Sequence, residues 1–157
     1  MLIGGFAVIA YGAGRFTKDI DLLVEDSSEN IACVKRGLAV LADNAAAAIN
    51  DADVRDHVVV RVADEVIVDL MGRACGLTYA DVVQDVEWRD LGGVRVPVAS
   101  PAMLIRTKDT SSVPFLVRYT TRASSGSSRP VASESVQDFA GRVAQVAGRV
   151  PGTAPWN

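Results

Sequence analysis

The sequence contains few of the side chains from which nitrogen- and sulfur-based sites are built. Its 157 residues include one histidine and two cysteines. Cys33 and Cys75 lack the Cys-x-x-Cys spacing of redox and zinc motifs, so we predict that both are buried free thiols in a reducing cytoplasm. His57 stands alone at the start of a predicted strand, which favours a structural role over a catalytic one.

Long apolar runs are also missing. Hydrophobic residues make up 49% of the chain, enough for a core, yet no run approaches the roughly 20 residues that a membrane helix needs. The N-terminus has no basic region ahead of an apolar one, so a signal peptide is not indicated. We therefore predict a cytoplasmic protein without a membrane partner.

The charge pattern contains no continuous basic groove. Residues 1–109 carry 17 acidic and 11 basic side chains, a net of −6, whereas residues 110–157 carry 2 and 5, a net of +3. Charge alone does not indicate a long nucleic-acid footprint. The positive tail is either a weak RNA contact or, by its composition, disordered.

Two aspartates near the N-terminus are the most informative feature. Asp19 and Asp21 flank one isoleucine at the start of an apolar run. In a strand, residues i and i+2 point to the same face, so the two carboxylates should project side by side. They would repel each other unless a cation lies between them, and Mg²⁺ prefers such oxygen ligands. The simpler alternative is a strand that merely ends at the surface.

A glycine pair precedes this run. Gly4 and Gly5 have no side chains that would keep a phosphate from the backbone N–H groups, and a helix that starts near Phe6 would direct its positive end there. The spacing therefore favours a site that binds both a metal ion and phosphate.

A third aspartate lies inside an apolar strand. Residues 57–62 and 65–71 are predicted to form two β-branched strands joined by a tight turn. Asp69 falls within the second strand, where burying an acid is costly unless a partner or a metal ion compensates it. The alternative is that Asp69 caps the strand end.

The remaining periodicity indicates an α+β fold with a mixed β-sheet and flanking helices. The predicted elements are a helix that starts within Asp26-Ser27-Ser28-Glu29 and runs to about Ala42, one or two short helices in residues 44–56, a hairpin over residues 86–98 and a helix that starts at Ser100-Pro101.

The N-terminal motif resembles that of a known superfamily. Gly-Gly, thirteen intervening residues and Asp-Ile-Asp-Leu are similar to the signature of the DNA polymerase β-like nucleotidyltransferases. The fuller string Gly-Gly-x-Ala-Val, Tyr-Gly, Arg-x-Thr-x-Asp-Ile-Asp-Leu-Leu-Val is most similar to AbiEii-type and minimal nucleotidyltransferases, many of which belong to toxin–antitoxin or defence systems. The resemblance covers about residues 1–110.

The resemblance implies a polymerase β-like core that transfers a nucleoside monophosphate from an NTP to an acceptor hydroxyl. It implies two Mg²⁺ ions held by Asp19, Asp21 and Asp69, with Asp69 matching the third carboxylate of the superfamily.

It also implies nucleotide contacts. Gly4, Gly5 and Thr17 would hold the β- and γ-phosphates, and Arg15 would stabilise charge on the departing pyrophosphate. Lys108, on the helix that follows the sheet, would be a phosphate contact, with a solvated surface lysine as the alternative.

The expected partners are an NTP, an acceptor such as a tRNA end, a protein or a small molecule, and a cognate toxin or antitoxin. The competing interpretation is a non-catalytic or degraded nucleotidyltransferase fold that binds an NTP or a protein. Dinucleotide binding through Gly12-x-Gly14 is a weaker rival because the third glycine and the flanking strand and helix are missing.

Relatives carry a helix and a longer strand before the glycine pair, so the resemblance implies a nucleotidyltransferase core at residues 1–110 that is clipped at its N-terminus. Residues 111–157 are predicted to be a low-complexity or loosely packed tail, since residues 111–135 contain eight serines and little apolar periodicity.

Overall fold

The computed structural model describes residues 1–14, 17–107 and 117–121. Nine strands occur in these residues: β1 Leu2–Ile3, β2 Asp19–Leu23, β3 Val59–Ala63, β4 Ile67–Met71, β5 Arg73–Ala74, β6 Leu77–Thr78, β7 Val86–Leu91, β8 Val94–Ala99 and β9 Val117–Thr121. The α-helices are α1 Gly4–Ala10, α2 Ser28–Leu38, α3 Asp53–Asp56, α4 Tyr79–Val82 and α5 Pro101–Arg106, with 3-10 turns at Ala45–Ala48 and Val83–Asp85.

Seven of the described strands form one mixed sheet in the order β7-β8-β1-β2-β4-β3-β9. The pairs β1/β8, β2/β4 and β3/β9 are parallel, and the pairs β1/β2, β3/β4 and β7/β8 are antiparallel. The strands β5 and β6 form a separate small hairpin. This arrangement confirms the predicted α+β class with a mixed sheet.

Both predicted hairpins are present. The chain turns between β3 and β4 at residues 64–66, and between β7 and β8 at Gly92 and Gly93. The two glycines have φ of +64° and +85°, the left-handed conformation that a two-residue hairpin turn requires and that glycine adopts without strain.

One face of the sheet packs into the hydrophobic core. Ile20 and Leu22 of β2 alternate with the two aspartates and are almost fully buried, as the period of two predicts. Buried apolar residues of α2 and of the neighbouring strands complete this cluster: Ile31, Val34, Leu38, Val60, Val62, Val68 and Leu70. The aspartates consequently lie on the opposite face.

The helices begin where polar caps predict. The Ser27 hydroxyl accepts a hydrogen bond from the Asn30 N–H (3.4 Å) at α2, and the Ser100 hydroxyl accepts one from the Met103 N–H (3.3 Å) at α5. The helix α2 ends at Leu38 rather than near residue 42, because the chain closes a tighter turn there, with the Leu41 N–H bonded to the Leu38 carbonyl. None of the helices in the described part is long and apolar enough to cross a bilayer.

The strand β9 lies in the segment that the sequence analysis assigns to the tail. It adds to the edge of the sheet as a parallel partner of β3, with Arg61 opposite Tyr119. The composition around β9 is rich in serine and does not indicate a strand, although the short run Val-Arg-Tyr-Thr-Thr contains strand-forming residues. These five residues pair with the sheet, whereas the rest of residues 111–157 lies outside the described residues, so the loosely packed tail and the boundary near residue 110 stay predictions.

The cysteines differ from expectation in exposure. Both are free, but Cys33 is partly exposed and Cys75 is exposed, so the prediction of two buried thiols was wrong. Cys75 has a φ of +51° and precedes Gly76 with a φ of +80°, in the tight turn between β5 and β6. A residue in such a turn lies at the surface whatever its side chain.

Candidate functional site

The three predicted aspartates lie on adjacent strands and share one face of the sheet. In the parallel β2/β4 pair, Asp21 is directly opposite Asp69, and Asp19 is two residues earlier on β2. Residues that pair in register point to the same face, as do residues i and i+2 of one strand. Asp69 is buried, and Asp19 and Asp21 are partly exposed, so the cluster runs from the interior to the surface.

The glycine pair packs against this cluster. Gly4 has a φ of +65°, and a Cβ at that position would overlap the Asp21 carboxylate. The Gly5 backbone N–H donates a hydrogen bond to the same carboxylate. Only glycine therefore fits at position 4, for reasons of both backbone conformation and space.

Thr17 connects the second glycine to the first aspartate. A Cβ on Gly5 would lie 3.0 Å from the Thr17 Cβ, and the Thr17 hydroxyl donates a 2.6 Å hydrogen bond to Asp19 Oδ1. Thr17 thus orients Asp19 in this structure. Its predicted phosphate contact stays a prediction, as do those of Gly4 and Gly5.

A cation lies among the aspartates. Arg61 of β3 is opposite Asp69 in the antiparallel β3/β4 pair. Its Nε donates to Asp69 Oδ1 (2.7 Å) and its Nη2 donates to Asp69 Oδ2 (2.6 Å), while Nη2 also lies 3.7 Å from Asp19 Oδ2. Such a bidentate arginine–carboxylate pair is among the strongest side-chain interactions.

The acidic cluster perturbs Asp21. Burial is the main reason that the pKa of Asp21 rises from 3.8 to about 6, and the negative charges of Asp19 and Asp69 add to the rise. The Gly5 N–H and the positive charge of Arg61 act in the opposite direction. One arginine therefore does not offset the combined cost of burial and repulsion at Asp21.

The donor chemistry of this cluster fits Mg²⁺, because it offers only carboxylate oxygens and because a further cation would relieve the repulsion at Asp21. Both Asp69 oxygens are nevertheless bonded to Arg61. Within the described residues, no three His, Cys, Asp or Glu side chains are arranged as a ready set of metal ligands. Metal binding would require Asp69 to give up at least part of its contact with Arg61.

Two predicted nucleotide contacts cannot be located. Arg15 and Lys108 lie outside the described residues, so their roles stay predictions. Arg61 is a site residue that was not predicted, although the sequence contains an indication of it. Arg61 is a charged residue in an apolar strand, as Asp69 is, and a hairpin turning at residues 64–66 places the two opposite each other.

A cleft of about 440 Å³ lies at the other ends of β2 and β4, beyond Leu23 and Met71. Its walls are formed by Asp26, Val54, Arg55, Asp56, His57, Val58, Gly72, Arg73, Cys75 and Gly76. None of the three predicted catalytic aspartates contributes to it. His57 Nδ1 is 3.0 Å from the Asp53 carbonyl oxygen, in keeping with the structural role expected of this histidine.

No family model, curated protein or solved structure matches the chain. The resemblance to nucleotidyltransferases therefore depends on the sequence motif alone.

Proposed function

We propose that this chain is a metal-dependent nucleotidyltransferase with a polymerase β-like core. The observation that supports the proposal is the placement of Asp19, Asp21 and Asp69 on one face of two adjacent parallel strands. The start of α1 lies against the Asp21 carboxylate. These are the positions at which the sequence resembles the superfamily, and a shared face is what a common metal site requires.

The three aspartates have separate roles in the proposed reaction. Asp19 and Asp21 would hold two Mg²⁺ ions and Asp69 one of them. Bound Mg²⁺ would supply the positive charge that polarises the phosphoryl oxygens and stabilises the leaving pyrophosphate. The acceptor oxygen bonds to the α-phosphorus, the bond from that phosphorus to the bridging oxygen of pyrophosphate breaks, and an Asp69 carboxylate oxygen accepts the hydroxyl proton.

The nucleotide would lie beside the glycine pair. Gly4, Gly5 and Thr17 adjoin the aspartates, and we assign them to the β- and γ-phosphates. Arg15 and Lys108 are assigned to the phosphates from the resemblance alone. An acceptor hydroxyl on a tRNA end, a protein or a small molecule fits this chemistry equally, and a cognate toxin or antitoxin is the partner class that the resemblance suggests.

One observation favours a second function. Arg61 neutralises Asp69 through two short hydrogen bonds, an arrangement that is stable without a metal ion. If Arg61 never leaves Asp69, the fold binds an NTP or a partner protein without turnover.

A transfer assay separates the two functions. The protein is incubated with each labelled NTP in turn, together with Mg²⁺, total tRNA and cell extract, and labelled product is measured. We expect product with the wild type and with Asp43→Asn, a control on an exposed residue away from the cluster. Asp21→Asn and Asp69→Asn should lower the amount of product by about 10³-fold. NTP binding without product from any nucleotide or acceptor would favour the non-catalytic function.

A further inference from the structure

Arg61 occupies the position in which a cation would be expected. We propose that Arg61 is an internal counterion that competes with a divalent metal ion for Asp69, so that metal binding requires its guanidinium to leave the carboxylate. The inference rests on the function proposed above, because it takes the three aspartates as metal ligands.

The competition follows from the bonds that Arg61 makes. Each of the two Asp69 oxygens accepts one N–H of the same guanidinium, at 2.7 and 2.6 Å. A metal ion on Asp69 would share those oxygens with a second positive charge a few ångströms away. Like charges at that separation repel strongly in a partly buried site, so the two cations exclude each other.

Arg61 is the partner that can move. Its side chain is 30% exposed, whereas that of Asp69 is 6% exposed and lies in the middle of β4. The guanidinium also lies 3.7 Å from Asp19, whose side chain is 38% exposed. Arg61 is therefore the more exposed partner of the pair, and its departure would not require the strand that holds Asp69 to move.

A second arginine–aspartate pair provides a control. Arg118 Nε on β9 lies 2.8 Å from Asp53 Oδ2 as an ion pair, without hydrogen-bond geometry, and its side-chain exposures of 33% and 7% nearly match those of Arg61 and Asp69. The same Asp53 oxygen accepts the Asn50 N–H at 2.7 Å. This pair is buried to the same degree but is not part of the Asp19, Asp21 and Asp69 cluster.

The test is a titration of the nucleotide-free protein with Mn²⁺, with affinity measured by calorimetry or by electron paramagnetic resonance of free Mn²⁺. We expect Arg61→Met to bind Mn²⁺ about tenfold more tightly than the wild type, because one repelling charge is gone. Arg61→Lys should fall between them, since an ammonium cannot bond both oxygens in the arginine geometry. Arg118→Met should bind like the wild type.

Thermal melting gives a second readout that does not depend on activity. Without metal, both methionine variants should melt on the order of 5–10 °C below the wild type, because each leaves a buried carboxylate without its positively charged partner. Millimolar Mn²⁺ should restore most of that loss in Arg61→Met and none of it in Arg118→Met. If Arg61→Met does not fold, the Arg61→Lys titration still decides the question.

Equal Mn²⁺ affinity in the wild type, Arg61→Met and Arg61→Lys would overturn the inference. If the wild type nevertheless forms labelled product in the transfer assay, the proposed function stands and only the role of Arg61 is wrong. Absence of both the affinity gain and any product would remove the inference and the proposed function together.

Discussion

The two faces of the sheet each carry one arginine–aspartate pair, and the pairs differ in what surrounds the carboxylate. Arg61 and Arg118 lie on adjacent strands, but Arg118 is in register with Val60, so the two arginines point to opposite faces. Asp53 is the first residue of α3 and pairs with Arg118. Asp69, by contrast, has Asp21 opposite it, and Asp19 is within reach of the same guanidinium.

The comparison distinguishes an ion pair that stabilises the fold, Arg118–Asp53, from a cluster with net negative charge, Asp19, Asp21 and Asp69 with Arg61. In a single buried ion pair one positive and one negative charge offset each other, so the pair has no net charge that would attract a further ion. Burial is the main reason that the pKa of Asp21 is raised, and the excess negative charge of three carboxylates against one guanidinium adds to the rise. We interpret the first arrangement as structural and propose that the second accepts another cation.

The largest expected difference is in catalysis. Asp69→Asn should lower nucleotidyl transfer by about 10³-fold, because it removes charge where the transition state needs it. Asp53→Asn, on the other face, should change the rate by less than about threefold when assayed well below its melting temperature. Initial rates at saturating NTP and Mg²⁺ measure both. Similar rates for the two variants would end the functional distinction between the faces.

The next effect concerns the tight contact between the glycine pair and the cluster. Gly4→Ala should lower the free energy of unfolding by about 3 kcal/mol, since it adds a Cβ both at positive φ and against the Asp21 carboxylate. Gly12→Ala has the same backbone problem at a φ of +86° but open space around it, so about 1 kcal/mol is expected.

Urea denaturation of both alanine variants provides the measurement. Equal losses in the free energy of unfolding would mean that backbone conformation alone explains the cost of Gly4→Ala. The Asp21 carboxylate would then not clash with the added Cβ.

A smaller difference in the free energy of unfolding is expected between the alanine variants of Asp53 and Asp69. Asp53→Ala removes the negative charge beside Arg118 and the acceptor of the Asn50 N–H, and it should cost about 2–3 kcal/mol, a value reduced because Arg118 is one third exposed. Asp69→Ala should cost only about 1 kcal/mol, because Arg61 can turn to Asp19 and because one repelling charge is removed. Chemical denaturation at pH 7 checks the order, and a larger loss for Asp69→Ala would contradict it.

Much of the site-bearing half of the fold could be predicted because its signals are local. The alternation of Asp19 and Asp21 with apolar residues defines β2, and the double glycine defines the β7/β8 turn. The placement of Asp69 beside Asp21 depends on a parallel pairing between strands far apart in the sequence, which the resemblance supplied and residue patterns did not.

Other features depend on tertiary context that the sequence does not display. The edge strand β9 gains its stability from pairing with β3 inside a serine-rich stretch, so its local composition pointed elsewhere. The role of Arg61 becomes visible only when the hairpin register is known. The resemblance assigns Thr17 to the phosphates, whereas in this structure its hydroxyl donates a hydrogen bond to Asp19.

The smallest expected effect is the pH dependence that Asp21 gives to the free energy of unfolding. The folded-state pKa of Asp21 is about 6, raised from 3.8 mainly by burial and then by Asp19 and Asp69. Below about pH 4 both the folded and the unfolded chain hold the proton, whereas between about pH 4 and 6 only the folded chain does. The stabilisation from this proton is therefore lost as the pH rises towards 6, and above that pH Asp21 adds no further slope.

Comparing the unfolding free energy of the wild type with that of Asp21→Asn across pH 4 to 8 isolates the contribution of Asp21. This contribution should amount to about 1–2 kcal/mol once solvent screening is allowed for. Parallel curves for the two proteins would show that the pKa of Asp21 is not raised by folding.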